Sequence, residues 1–205
     1  MQGRRTNTSP IGRGRGPLRS NGRVRGYTAR LSVQTRPDPM PVLALDIVLA
    51  AATFLFMEGF AWFMHKYVMH GFMWVWHKSH HEPRDGVFEL NDLFAVVFAA
   101  PAIVCIYLGV HGLAPLLPIG IGITAYGAVY FMFHDGLVHK RYPVPLSGRS
   151  KFWKRLIQAH RIHHAVGTKE NCVSFGFLLA RPVRELKAQL ADVELRSSTR
   201  GRAEA

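Results

Sequence analysis

The sequence predicts an all-α membrane protein of three to four transmembrane helices carrying a histidine-rich helical cap on one side. Two observations predict it. The chain of 205 residues is 48% hydrophobic, with its apolar residues gathered in long runs. Ten of its eleven histidines fall in four short clusters at the ends of those runs. A chain of this length is expected to form one domain, and about 20 consecutive apolar residues suffice for a helix to cross a hydrocarbon core.

The elements follow in order. Residues 1–41 form a basic tail with nine arginines, one acid (Asp38) and Gly-Arg repeats, a composition that cannot build a core. Residues 42–64 are the first span, interrupted only by Asp46 and Glu58. Then come His65 and His70, followed by His77-Lys78-Ser79-His80-His81. Glu89, Asn91 and Asp92 are placed to cap the second span, residues 93–110. The junction His111-Gly112 is too short to cross anything, so the third span, residues 112–133, returns as a hairpin. The histidine pattern then repeats as His134 and His139, followed by His160-Arg161-Ile162-His163-His164. Residues 173–180 are apolar but too short to span as a straight helix. Residues 42–190 make up the membrane domain, and 191–205 are expected to be a disordered C-terminal tail.

This arrangement puts all four histidine clusters on one membrane face. The same face carries Lys66, Lys78, Arg84, Lys140, Arg141, Arg149, Lys151, Lys154, Arg155, Arg161 and Lys169, so the positive-inside rule makes it cytoplasmic, or stromal in a plastid. With three spans the basic tail would lie on the wrong side. A start at Met40 resolves the conflict; a transit peptide fits the Arg-rich, acid-poor composition; an RNA-binding tail fits the Arg-Gly content least well, because a charge run is usually just solvated. The net charge of +13 leans on this tail and does not indicate nucleic-acid binding.

Imidazole suits iron, copper, zinc and nickel, and a site for two redox metals needs about eight to ten donor atoms. In H-x-x-H-H the three rings share one helix face. In H-x4-H the two rings lie roughly 140° apart on an ideal helix, so that motif is expected to straddle a helix end, at Gly71 and at Gly136. The candidate ligands are His65, His70, His77, His80, His81, His134, His139, His160, His163 and His164; the isolated His111 is read as structural. The only cysteines, Cys105 and Cys172, cannot make a thiolate site, and no paired Glu-x-x-His motifs indicate a carboxylate-bridged bundle. An iron pair is the leading reading, so the cap is expected to be a di-iron one; a zinc pair or a copper site is weaker. Glu58, Glu82 and Asp135 are candidates for orienting ligand rings from behind. Aromatic side chains near the clusters, among them Trp62, Trp74, Phe131 and Phe133, offer a surface for an apolar substrate.

The words around these histidines carry a resemblance. Two H-x4-H and two H-x-x-H-H motifs are the framework of the membrane fatty acid hydroxylase superfamily. The stretches His65-Lys66-Tyr67, His80-His81-Glu82-Pro83-Arg84, Phe88-Glu89-Leu90-Asn91-Asp92, Phe133-His134-Asp135-Gly136 and Ala159-His160-Arg161-Ile162-His163-His164 closely resemble its carotenoid branch, the bacterial β-carotene 3-hydroxylases. The resemblance covers residues 42–190. It implies an O2-dependent mono-oxygenase with two iron ions. Such an enzyme hydroxylates C3 of β-ionone rings, taking β-carotene through β-cryptoxanthin to zeaxanthin and, in related pathways, canthaxanthin to astaxanthin. It further implies a multi-pass protein with its active site on the cytoplasmic side, in a bacterial inner membrane, or in a plastid membrane if the tail is a transit peptide. The expected partners are a carotenoid in the bilayer, membrane lipid and a reduced ferredoxin-type electron donor. Two alternatives remain: a fatty acid or sterol hydroxylase or desaturase with the same ligands, and a histidine-rich metal-storage or transport protein. The latter is disfavoured because the clusters sit at the span ends.

Overall fold

The computed structural model describes residues 39–83, 86–144 and 150–203, so the expectations for residues 1–38 lie outside it. Helix α1 (Pro39–Phe63) continues into a π-helical segment, Met64–Phe72. After α2 (Trp74–His81), a 3₁₀ turn at Leu90–Asp92 leads into α3 (Leu93–Val110). Helix α4 (Leu116–Tyr130) runs into a second π-helical segment, Phe131–Val138; α5 (Lys151–His164) and α6 (Val183–Ala203) follow. The described residues contain no strand.

Three helices are long and apolar enough to cross a membrane: Met40–Phe72, Leu90–Val110 and Leu116–Val138. Their outward side chains, such as Leu45, Leu55, Val96 and Ile103, are exposed. A helix apolar all round with so little protein against it is built for a hydrocarbon solvent. No fourth such helix is found among the described residues, and 173–180 is non-helical.

Small residues let the spans approach closely. A Cβ on Gly120 would lie 2.7 Å from the Ile106 side chain and 2.9 Å from the Ala102 carbonyl, so α3 and α4 pack as an antiparallel hairpin. A Cβ on Gly122 would meet the Ala50 carbonyl at 2.5 Å, which fixes α4 against α1. The pairs Gly122 with Ala50 and Phe54 with Tyr126 run in the same sense, so these two spans are parallel and end on the same side. Both π segments therefore emerge together.

The cap is built on α5 and α6. Ser150 caps α5 by accepting the Trp153 N–H, and Leu156 and Ala159 pack against Ala180 and Leu186. Burying a leucine such as Leu186 contributes about 1.5–3 kcal/mol. The expectation of a disordered tail from residue 191 is corrected: α6 crosses that point and continues to Ala203. Its run of Glu, Leu, Lys, Ala and Gln around the boundary favours helix, and polarity alone disguised it.

Candidate metal centre

The spacing of His65 to His70 and of His134 to His139 is met by a change of helix type, and His134 and His139 also straddle a helix end. His65, His70 and His134 lie in the π-helical segments, and His139 is the residue that ends the second. A π-turn bonds residue i to i+5 and so brings those positions toward one face. The His139 N–H donates to the His134 carbonyl at 2.9 Å, tying the two members of one motif directly. The paired rings come within 5.2 Å for His65 and His70 and 4.6 Å for His134 and His139. Gly71 does depart from helical geometry, at φ −100° and ψ −125°. Gly136 does not break the helix; its missing side chain admits Val144 and Tyr142.

All ten clustered rings form one body with two halves. In the first, ligand nitrogens of His65, His70, His77 and His163 lie within 4.8 Å of one another; in the second, those of His80, His134, His139 and His160 do. His81 completes the first half, 4.9–5.0 Å from the rings of His70, His77 and His163. His164 completes the second, 4.5–4.9 Å from His80, His139 and His160. Each H-x-x-H-H motif thus sends its outer rings to one half and its middle ring across to the other. The halves meet where His81 stacks on His164 at 4.4 Å.

The hydrogen bonds behind the rings decide what they can do. Nδ1 of His65 donates to the Phe175 carbonyl, that of His70 to Lys169, that of His81 to Val166 and that of His163 to Val173, at 3.0–3.1 Å. His77 donates to Asn91 Oδ1 at 2.7 Å, His80 to Glu89 Oε1 at 2.8 Å and His134 to Asp135 Oδ1 at 2.7 Å. With the ring proton assigned to Nδ1 by these partners, Nε2 is a bare acceptor. Yet bare Nε2 atoms face each other in pairs: His65 with His77 at 3.1 Å, His70 with His163 at 3.2 Å and His80 with His134 at 3.2 Å. Nε2 of His81 is buried with no hydrogen-bond partner among the described residues. Acceptors so arranged repel unless a cation lies among them. Two nitrogens about 2.1 Å from one metal and at a right angle would sit about 3 Å apart, so the donor set fits a transition-metal pair.

The electrostatics agree. Burial pushes the His77 imidazole down to about 2, His164 to about 3 and His81 to about 4. Burial, reinforced by neighbouring imidazoles, also lowers His80, His160 and His163. The rings are held neutral, the form that ligates metal. A polar cleft of about 250 Å³ lined by His80, Glu82, Glu89, His139 and Arg141 opens onto the second half alone.

Among the orienting candidates, Asp135 sits directly behind His134. Glu82 does not approach a ring; it pairs with Lys78 at 3.1 Å, both half exposed. Glu58 touches no imidazole either. Its buried Oε1 accepts the N–H groups of Phe177, Leu178 and Leu179 at 2.8–3.0 Å, and Oε2 accepts the Tyr126 hydroxyl at 2.8 Å. It pins the 173–179 loop whose carbonyls hold His65 and His163. Sequence reasoning read Glu89 and Asn91 only as caps. Glu89 does form a capping box with Asp92, but Glu89 and Asn91 also orient rings; the concentration of polar groups just before an apolar run was the available signal. His111 is remote from the cluster, donating to the Tyr107 carbonyl at 2.7 Å.

Comparison with known proteins agrees with this architecture. The fatty acid hydroxylase family pattern matches residues 50–180. The β-carotene hydroxylase of Pantoea ananas is 57% identical over 147 residues, covering 72% of this chain and 84% of that protein. That of Pseudescherichia vulneris is 54% identical over 153 residues, covering 75% and 85%. A chloroplastic β-carotene 3-hydroxylase of Gentiana lutea is 40% identical over 150 residues, covering 70% and 46%. No solved structure matches significantly. The chain belongs to the fatty acid hydroxylase family, in the branch that contains the bacterial β-carotene hydroxylases.

Proposed function

We propose that this chain is a β-carotene 3-hydroxylase, a non-haem di-iron mono-oxygenase that draws electrons from a reduced ferredoxin-type donor. The observation that carries the reading is the set of bare Nε2 atoms converging in two halves, in a chain so similar to the named β-carotene hydroxylases. The first iron would be held by His65, His70, His77, His81 and His163, and the second by His80, His134, His139, His160 and His164. Iron supplies what imidazoles lack, the activation of O2 with two external electrons to a strength that oxidises an unactivated C–H bond. The overall balance is a ring C–H, O2, two electrons and two protons giving C–OH and water.

The chain's own groups supply position and exclusion of water. Phe175 packs against His65, His70 and His163 at 5.2–5.5 Å, and Phe177 against Tyr130 at 4.7 Å, giving the centre an apolar flank. A wholly apolar groove of about 370 Å³ between α1 and α4, lined by residues such as Ala50, Phe54, Gly122 and Ala125, suits a polyene chain lying in the bilayer. The Nδ1 partners of His65, His70, His77, His80, His81, His134 and His163 hold those rings in the tautomer that presents Nε2 inward. The basic residues flanking the clusters support a cytoplasmic orientation of the site.

Pigment chromatography after expression in β-carotene-accumulating cells tests the proposal: zeaxanthin, with β-cryptoxanthin as intermediate, is expected. Canthaxanthin-accumulating cells report whether 4-keto rings are accepted. Purified active protein is expected to hold about two irons per chain. Active enzyme with stoichiometric zinc and no iron would refute the metal assignment, and unchanged β-carotene beside hydroxylated lipid would refute the substrate.

A further inference from the structure

The two halves of the histidine cluster differ in what stands behind their rings. Every ring of the first half donates to an uncharged oxygen: four backbone carbonyls and the Asn91 amide. In the second half, His80 and His134 donate to carboxylates, Glu89 and Asp135, whose side chains are only 8% and 16% exposed. Arg141 binds both groups together. Its guanidinium lies 3.5 Å from Glu89 and 3.8 Å from Asp135, while its closest pairing is with Asp92 at 2.6 Å. Beside the first half, the Lys66 ammonium lies 6.0 Å from the Phe175 ring that packs on its histidines.

A carboxylate accepting an imidazole N–H makes that imidazole a more basic ligand than a neutral oxygen does. We propose that Glu89 and Asp135, held by Arg141, are positioning residues that make the second half the tighter of the two metal positions. The inference rests on the two-metal reading above, and adds that the positions are unequal and which side chains cause it.

The test is a titration of the metal-stripped full chain, in detergent, with Co(II) against a competing chelator, followed by the visible absorption of bound cobalt. Two classes of site are expected in the unaltered protein. The double variant Glu89→Gln, Asp135→Asn should weaken the tight class alone by about 10- to 100-fold, the usual range for losing such partners. Asn91→Asp places a carboxylate behind His77 and should strengthen the weak class, a gain that structural damage cannot mimic. A single class of two equal sites, a loss spread equally over both classes, or no gain with Asn91→Asp overturns the inference. Failure to bind any cobalt sinks the two-metal reading itself, a result distinct from binding at two equal sites.

Discussion

The two halves of the histidine cluster are written in nearly the same motif, H-x4-H followed by H-x-x-H-H, yet they are supported by different means. The first depends on a loop: residues 173–175 supply carbonyls to His163 and His65, and the loop is pinned by Glu58 from inside a span. The second depends on charged side chains at the helix ends, Glu89 and Asp135, gathered by Arg141 and adjoining a polar cleft. A repeated ligand pattern therefore does not imply a repeated environment. The ligands have to match what a metal requires, whereas any well-placed oxygen can hold an Nδ1–H.

The comparison is broken most severely at the rings that cross between halves. His80 and His163 are the middle members of their motifs, and each serves the half to which its neighbours in sequence do not belong. Replacing either by Ala should lower zeaxanthin formation by about 100-fold or more, beyond the usual effect of losing an outer partner. Metal content should also fall in the crossed half: His163→Ala should empty the half containing His65, not the half containing its neighbour His164. Metal analysis alongside pigment chromatography checks this. If His163→Ala instead depletes only the His160 half, the grouping of the rings is wrong.

Glu58 separates the two halves more selectively. In Glu58→Ala, three loop N–H groups and the Tyr126 hydroxyl lose their acceptor at membrane depth. With each unsatisfied buried donor costing about 1–3 kcal/mol, a destabilisation of roughly 3 kcal/mol or more is expected. Glu58→Gln keeps a carbonyl oxygen for the loop and should cost about 1 kcal/mol. Thermal unfolding midpoints in detergent give the ranking, and cobalt titration should show Glu58→Ala loosening the carbonyl-backed half first. Equal effects of Ala and Gln, or a loss confined to the carboxylate-backed half, would contradict the loop's role.

Much of this was legible in the sequence, for reasons that differ by element. The three spans follow from composition alone, and their parallel exit follows from a hairpin too short to cross. The ten rings were found because histidine is rare enough for clusters to stand out. What sequence concealed was the π-helical geometry of the H-x4-H motifs, since i to i+5 bonding has no residue preference to betray it; Gly71 does break its helix, but Gly136 does not, and the second motif ends at His139. The loop carbonyls at Val173 and Phe175 were equally invisible, because every residue has a carbonyl. Glu82 misled by adjacency: it follows His81 but turns outward to Lys78. Arg141 was counted as one more basic surface residue, although it links the carboxylates behind two rings.

The smallest effects mark the outer boundary of both halves. His111 lies at the hairpin, where its ring is exposed on Tyr107 with centroids 4.2 Å apart and its Nδ1–H reaches the Tyr107 carbonyl at 2.7 Å. That contact tidies a helix end and reaches none of the ten clustered rings. His111→Ala should leave zeaxanthin formation per unit of protein unchanged and alter stability by no more than about 1 kcal/mol. Glu82→Gln removes only a half-exposed pair with Lys78, worth about 0.3–0.5 kcal/mol, and should be quieter still. Both variants have to be scored for membrane abundance as well as product, since lower abundance would imitate a chemical defect. Normal abundance with lost hydroxylation in Glu82→Gln would show that the polar cleft beside Glu89 and Arg141 matters to turnover through the one acid that lines it without orienting a ring.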